Sequence, residues 1–513
     1  MLLSLLQAVV FAGVFSFPTT TQGVYRTEKL PQHGIEIRVP RRYETIPAQP
    51  TEVNVVRKWF GRPSKEARGR YDTRPHMYLI VIPKVSDPDP EKTNADRTQG
   101  VVNSFPRFFG REFPVKSAER RKGWDLKDKR MESPRKGFEC FEYDARFRSG
   151  ALDLLGRAYC LEDEERIVAL FGYCPQEDFK KQSKMWKHIA SKLELSQPKS
   201  SVDPKWERYY ERRKKFKDPT FRAELRSNLA RGWKADDTEN FIFLYSTTDE
   251  KLIRILKREL EAIRKAYLDR FPPYEPIRAV SAVRICKDRD EYIAYGGSSR
   301  SAGYWNAVAK ELVFYDQGKG GDGRANSRIV LYHEAFHQYI YYCAGEVAPH
   351  SWYNEGHGDY FSGTRFNRAG EISKIGYNTW RVGYIKRLVE RNDYVPLNEI
   401  LFMEKAKFYK DSGRCYAQAW SIIYFLRESK VVRKHPRWKR ILPQYFQTLR
   451  DTFEEELEER AVADPNAPGP KDAEALAEIK KKARDTAMEK AFDEVDIYAL
   501  EDEWAEYVRQ MDP

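Results

Sequence analysis

The stretch from Ser327 to Gly363, SRIVLYHEAFHQYIYYCAGEVAPHSWYNEGHGDYFSG, holds four of the chain's eight histidines. His333 and His337 stand four apart in HEAFH. On a helix that spacing puts both imidazoles on one face, one turn apart, where one metal ion can take a nitrogen from each. Ile329, Val330, Phe336, Ile340 and Cys343 recur at helical spacing and predict a helix with one buried side. Asn326 or Ser327 is suited to cap its start and Gly345 to end it. Glu334 completes the H-E-x-x-H arrangement. Hydrolytic zinc takes three protein ligands and keeps one position for water. Glu334 is placed to take that water's proton and not to ligate. The third ligand is expected from Glu355, in WYNEG, because the gap fits a helix end, a loop and a second helix returning beside the first. Asp359, one turn beyond Glu355, is expected to accept the outer N–H of a ligating histidine, His333 above all. His350 and His357 flank Glu355 and are the alternative third ligands. His357 is two residues away on the same helix and so points elsewhere; His350 precedes the helix in a loop.

HEAFHQ followed by WYNEGHGDYF resembles the glutamate-zincins, the thermolysin-type clan of metallopeptidases. It is more closely similar to an uncharacterised bacterial peptidase-MA-like family with HExxHQ and WxxEG signatures. The likeness spans roughly residues 241 to 508 and is specific at the zinc site. It implies one Zn2+ held by His333, His337 and Glu355, with Glu334 as base and Asp359 behind a histidine. In clan aminopeptidases a tyrosine begins a later helix and donates to the oxyanion. Tyr416, in YAQAWSIIYFLRES, resembles it without the Lys-Gly pair that follows there, and is the candidate for that role.

These residues need a scaffold. At 513 residues the chain is too long for one ordinary core. With 41% hydrophobic and 33% charged residues it reads as soluble and globular. The net charge of +13 is spread among acidic residues, and no nucleic-acid motif accompanies it, so a nucleic-acid partner is not expected. Met1 to Phe17 is the only long apolar run. With the small-residue stretch TTTQG behind it, residues 1–23 read as an export signal, although no lysine or arginine precedes the run. No later segment is apolar enough to span a bilayer. The six cysteines follow neither a zinc-knuckle nor a disulfide-scaffold spacing. In an exported chain one or two disulfides could form, for example among the first three, with free buried thiols as the equal alternative, and none is assigned to catalysis.

The fold class read from the pattern is α+β. Residues 24–197 form a sheet-and-helix domain with a strand opening at Gly34 and ending at Pro40, another at Met77–Val85, and three more between Gly137 and Pro175. It closes with an amphipathic helix burying Phe179, Met185, Trp186, Ile189 and Leu193. The order of its hairpins and closing helix resembles Mog1/PsbP-like domains. Residues 198–235 read as a charged helical connector whose Arg/Lys run is a solvated face. Residues 236–513 form the zincin-like domain: strand Phe241–Tyr245, a long helix, strand Ile277–Asp288, a hairpin, the H-E-x-x-H helix and a mostly helical remainder. Its Ala302–Trp305 strand is the candidate edge on which an extended peptide lies over the metal.

Together these features predict an exported zinc metallopeptidase of periplasm, cell envelope or extracellular space, acting on a peptide or protein. A catalytically silent zinc-scaffold binding protein of the cell envelope and a zinc hydrolase of a non-peptide amide are the alternatives.

Overall fold

A computed structural model of the chain describes residues 24–62, 74–84, 104–112, 125–131, 138–149, 152–199, 202–345, 347–463 and 473–512. The expected signal at residues 1–23 lies outside them. The class is α+β, with a sheet domain first and a mostly helical part last. No helix among the described residues is long and apolar enough to cross a membrane.

The first domain has a three-stranded antiparallel sheet of Tyr25–Leu30, Ile35–Pro40 and Glu194–Leu195 and a seven-stranded antiparallel sheet. The strands of the larger sheet run in the spatial order Glu44–Ile46, Val55–Phe60, His76–Pro83, Arg166–Pro175, Leu152–Glu162, Glu139–Ser149 and Asp125–Met131. Alternation sends Met77, Leu79, Val168 and Leu170 to one face, where helix Gln176–Ser191 packs through Trp186 and Ile189. Ile80, Ile82, Ala169 and Phe171 face the other side, against Phe105, Phe108 and Phe109. The first face has no room over Gly172: a Cβ there would lie 2.3 Å from the Trp186 ring. Gly172→Ala is therefore expected to destabilise the domain by about 1–3 kcal/mol of overpacking, read as a lower unfolding midpoint.

The Arg/Lys run of the connector, Arg212 to Lys215, is exposed as expected, but the connector as a whole packs against the second domain. Helix Pro219–Ser227 packs on the second domain through Arg222 and Arg226, and helix Pro204–Glu211 reaches it through Tyr210, whose hydroxyl donates to Asp237 (3.0 Å). Arg222 donates to Asp237 Oδ1 (2.8 Å) and to the carbonyls of Phe241, Thr238 and Glu239; Arg226 donates to Asp237 Oδ2 (2.6 Å). Charge counting missed this because the acid sits on a strand further along the chain. That strand, β1 (Lys234–Asp237), belongs to the second sheet, so a boundary after residue 235 cuts through it.

The second sheet has the order β1, β2 (Phe241–Tyr245), β3 (Ser281–Cys286), β5 (Glu311–Tyr315) and β4 (Gly303–Asn306). β2, β3 and β5 run parallel, and β4 closes an antiparallel hairpin as the edge strand. The parallel strands are apolar on both faces because both are covered. Phe243, Val283 and Phe314 meet helix α1 (Glu250–Arg270) and helix α2 (Gly323–Cys343). Ile242, Leu244, Ala282 and Val313 meet Ile46 and Phe60 of the first domain, so the two domains share a buried cluster. Gln49 and Lys58 of the first domain donate to the carbonyl of Tyr295 at 2.5 and 3.3 Å. Gly296 leaves space for that docking, since its Cβ would fall 1.5 Å from Gln49 Nε2.

Helix α2 begins four residues before Ser327, after Asp322. Ser327 is thus no cap. Its hydroxyl sits inside the first turns, donating to Gly323 O (3.0 Å) and accepting from Gln317 N–H (3.0 Å), which ties the glycine loop to the helix. Arg324 reaches Asp249 and Arg328 reaches Glu259, fastening α2 to α1. At the other end Gly345 takes a left-handed φ of 68°, as expected of it. All six cysteines are buried free thiols.

Candidate metal centre

Helix α3 (Ser351–Ser362) returns beside α2, as the spacing between His337 and Glu355 requires. Two glycines set how closely it packs. A Cβ at Gly358 would lie 2.8 Å from the His333 ring, and one at Gly356 would lie 2.6 Å from the Ala419 carbonyl on helix α5 (Ser412–Glu428). Helix α3 is thus pressed between the histidines on one side and α5 on the other.

The ligand atoms of His333, His337 and Glu355 all lie within 4.8 Å of one another. Glu355 Oε2 is 3.0 Å from His333 Nε2 and 3.3 Å from His337 Nε2. Each imidazole is held by its far nitrogen. His333 Nδ1 donates to Asp359 Oδ1 (3.1 Å), as expected, and His337 Nδ1 donates to Asn354 Oδ1 (3.1 Å). Each ring nitrogen of His333 thus faces a carboxylate, Nδ1 that of Asp359 and Nε2 that of Glu355, and a carboxylate only accepts. Asp359 is itself fixed by Arg381 Nε on Oδ2 (2.6 Å). Burial disfavours charge on His333, but Asp359 and Glu355 outweigh it and raise its pKa well above the usual imidazole value. The pocket therefore favours positive charge. A cation at that point would take the place of the proton, and two imidazole nitrogens with one carboxylate oxygen converging there suit a divalent metal ion. The structure thus brings together a group near enough to hold one metal ion.

Glu334 lies beside this group on α2. Burial raises its pKa, the two histidines oppose that rise, Glu355 adds to it, and the backbone N–H of Trp305 on β4 lowers it again. That amide puts the edge strand against the candidate base. Gly303 lets the strand lie down on α2, for its Cβ would fall 2.6 Å from Val330.

Tyr416 is brought to the site, although its helix starts at Ser412, so it stands in the second turn and not at the end. Its ring stacks 6.0 Å from that of His333, with the Arg381 guanidinium 5.0 Å above it. Burial, then the charge of Glu355, pushes its hydroxyl pKa upward, so it stays a donor. Tyr409, on the short helix α4 (Lys405–Lys410), was not foreseen; its hydroxyl donates to Glu355 Oε1. The carboxylate is so divided: one oxygen faces the imidazoles and the other is held by a phenol.

His350 and His357 are not at the centre. His350 Nδ1 meets Tyr445 Oη at 2.9 Å. His357 donates through Nδ1 to Tyr353 O (2.8 Å) and accepts through Nε2 from Arg427 (2.7 Å).

Asn354 carried no sequence signal, since its role depends on how α3 is rotated against α2. Asn354→Ala is expected to weaken metal affinity about 10–100-fold without removing a ligand, measured by competition with a chromophoric chelator.

Residues 328–434 match the model of a family described as a protein of unknown function (DUF1570). No curated protein matches. Solved structures similar to this chain include the cyanobacterial PsbP (CyanoP) of Synechocystis sp. PCC 6803, at 12% identity and a TM-score of 0.24, covering 36% of this chain and 99% of that one. LpqN of Mycobacterium tuberculosis, involved in cell envelope biogenesis, is 10% identical with a TM-score of 0.21, covering 32% and 83%. The Ran-binding protein Mog1p of Saccharomyces cerevisiae is 9% identical with a TM-score of 0.20, covering 33% and 95%.

Proposed function

We propose that this chain is an exported zinc metallopeptidase of the glutamate-zincin kind. The observation that carries the reading is the convergence of His333, His337 and Glu355 with Glu334 beside them, against the backbone of an edge strand. Export rests on the apolar run at Met1–Phe17.

His333 and His337 would hold zinc through Nε2 and Glu355 through Oε2. When bound, zinc supplies a Lewis acid that brings the pKa of water toward neutrality and polarises a carbonyl. Glu334 is the general base: burial raises its pKa above the ordinary carboxylate value, which makes it a better proton acceptor. It takes the water's proton and returns it to the leaving amine. Tyr416 keeps its proton and donates toward the carbonyl oxygen as negative charge develops there, a contribution of about 3 kcal/mol in comparable sites. Tyr409, Asp359 and Asn354 hold the ligands in place and touch no reacting atom. An extended peptide adds to the open side of β4, which brings successive carbonyls past Glu334.

The test is a mixed peptide library incubated with the full chain, with zinc and with a chelator. New amino termini are expected only with zinc. A chain that keeps its zinc yet releases no termini defeats the peptidase reading and leaves a silent binding scaffold. Turnover confined to non-peptide amides defeats it in favour of the third reading.

A further inference from the structure

Away from the metal centre, the junction of the two domains contains a cleft of about 560 Å³, within the usual range of ligand sites and in a usual place for one. Pro47 and Val53 of the first domain and Leu225, Leu229 and Leu244 from the second side give it apolar walls. Arg57, on strand Val55–Phe60, also lines it.

Arg57 is only 7% exposed, and its Nε is buried without a hydrogen-bond partner. Among the described residues no carboxylate pairs with it. Glu28 is the acid whose charge it feels. That carboxylate is already committed: Oε1 accepts from Arg26 (3.0 Å) and Thr45 (3.0 Å), and Oε2 from Trp59 (3.1 Å). Glu52, in the cleft wall, is taken by Lys58 at 2.7 Å. The other cleft arginine, Arg284, is matched by Glu311. His33, also in the wall, is held neutral by burial first and then by Arg57 and Arg166. Among the described residues the cleft thus carries one uncompensated positive charge in apolar surroundings. A buried cation without a partner is strongly unfavourable, and native proteins keep one where something else completes it.

We propose that this cleft binds an amphipathic monoanion, a carboxylate on an apolar body, with the Arg57 guanidinium pairing the carboxylate and the aliphatic walls covering the body. One cation matches one negative charge, and the planar fork of arginine suits a carboxylate. The same chemistry is offered by a free carboxylic acid and by the C-terminal end of a polypeptide. Gln49 lines the cleft too and contacts Tyr304 of the edge strand, so the cleft adjoins that strand without using any metal-site residue.

Calorimetric titration of the full chain decides it, with octanoate against octanamide and with an acetylated Ala-Leu-Leu free acid against its C-terminal amide. At least one acid is expected to bind about tenfold or more tightly than its neutral counterpart, and which acid does so identifies the source. Arg57→Met is expected to abolish that preference. Without ligand the same variant is expected to melt at the same or a higher temperature, because it removes an unpaired buried charge. The proposal is overturned if neither acid binds at millimolar concentration, if acid and amide bind alike, or if Arg57→Met binds the acid as well as the parent. A marked fall in melting temperature overturns it too, since Arg57 then has a partner inside the fold. Chelated protein gives the same titration, so failure here is separable from failure of the peptidase reading.

Discussion

Replacing Glu334 with glutamine is expected to lower kcat/KM on peptides by at least about 10³-fold and to leave the bound metal in place. A general base alone contributes about 10²–10⁴-fold, and on the proposed reading the same group would also return the proton to the leaving amine. The exchange is nearly isosteric, so the contact with the Trp305 amide and the packing of β4 on α2 are kept. Glutamine cannot accept a proton at any working pH. No ligand is touched, because the metal-facing atoms belong to His333, His337 and Glu355. Metal content by mass spectrometry should therefore match the parent while a fluorogenic peptide goes uncut. Parent-like turnover in this variant would remove Glu334 from the chemistry. Loss of metal would instead make Glu334 a ligand, contrary to its place beside the group and not within it.

Much of this centre was legible in the chain. The spacing of His333 and His337 fixes a shared helical face whatever surrounds it, and Glu355 and Asp359 repeat the device one helix later. The pattern carries less where contacts cross between elements without a period. Tyr409 comes from a short charged helix, and Arg381 from a stretch with no motif; each reaches the site only because α3 is clamped between α2 and α5. The glycines that permit the clamp, Gly356 and Gly358, flank His357 in GHGD, where the histidine draws the eye. His357 faces the other way and satisfies Arg427. The helix start was misplaced for a related reason. The capping residues Asn326 and Ser327 suggested a later start, but Gly323 fits where a Cβ would lie 2.4 Å from the Gly318 carbonyl, so the turn closes earlier. Arg222 and Arg226 show the limit of charge counting: they lie outside the exposed Arg/Lys run, and their partner Asp237 stands on a strand further along the chain.

Glu355→Ala is expected to strip the metal and with it all peptide hydrolysis. Two imidazoles remain in that variant, but the site loses its only ligating charge, and the cavity opens beside a Tyr409 hydroxyl that has lost its acceptor. The loss of affinity should exceed the roughly 10–100-fold expected from an outer partner such as Asn354. Tyr409→Phe is the internal comparison. It frees Glu355 Oε1 and leaves Oε2 facing both histidines, so the metal should be retained at a cost no larger than that of Asn354→Ala. The two rival ligands are separated by the same measurement. His350→Ala removes a contact to Tyr445 and should keep one metal per chain. His357→Ala should also keep it at saturating metal, although its melting temperature should fall, because Arg427 is then buried without the acceptor that both its Nε and Nη2 use. A chain that holds its metal through Glu355→Ala and releases it through either histidine change would move the third ligand, and with it the likeness to the glutamate-zincins.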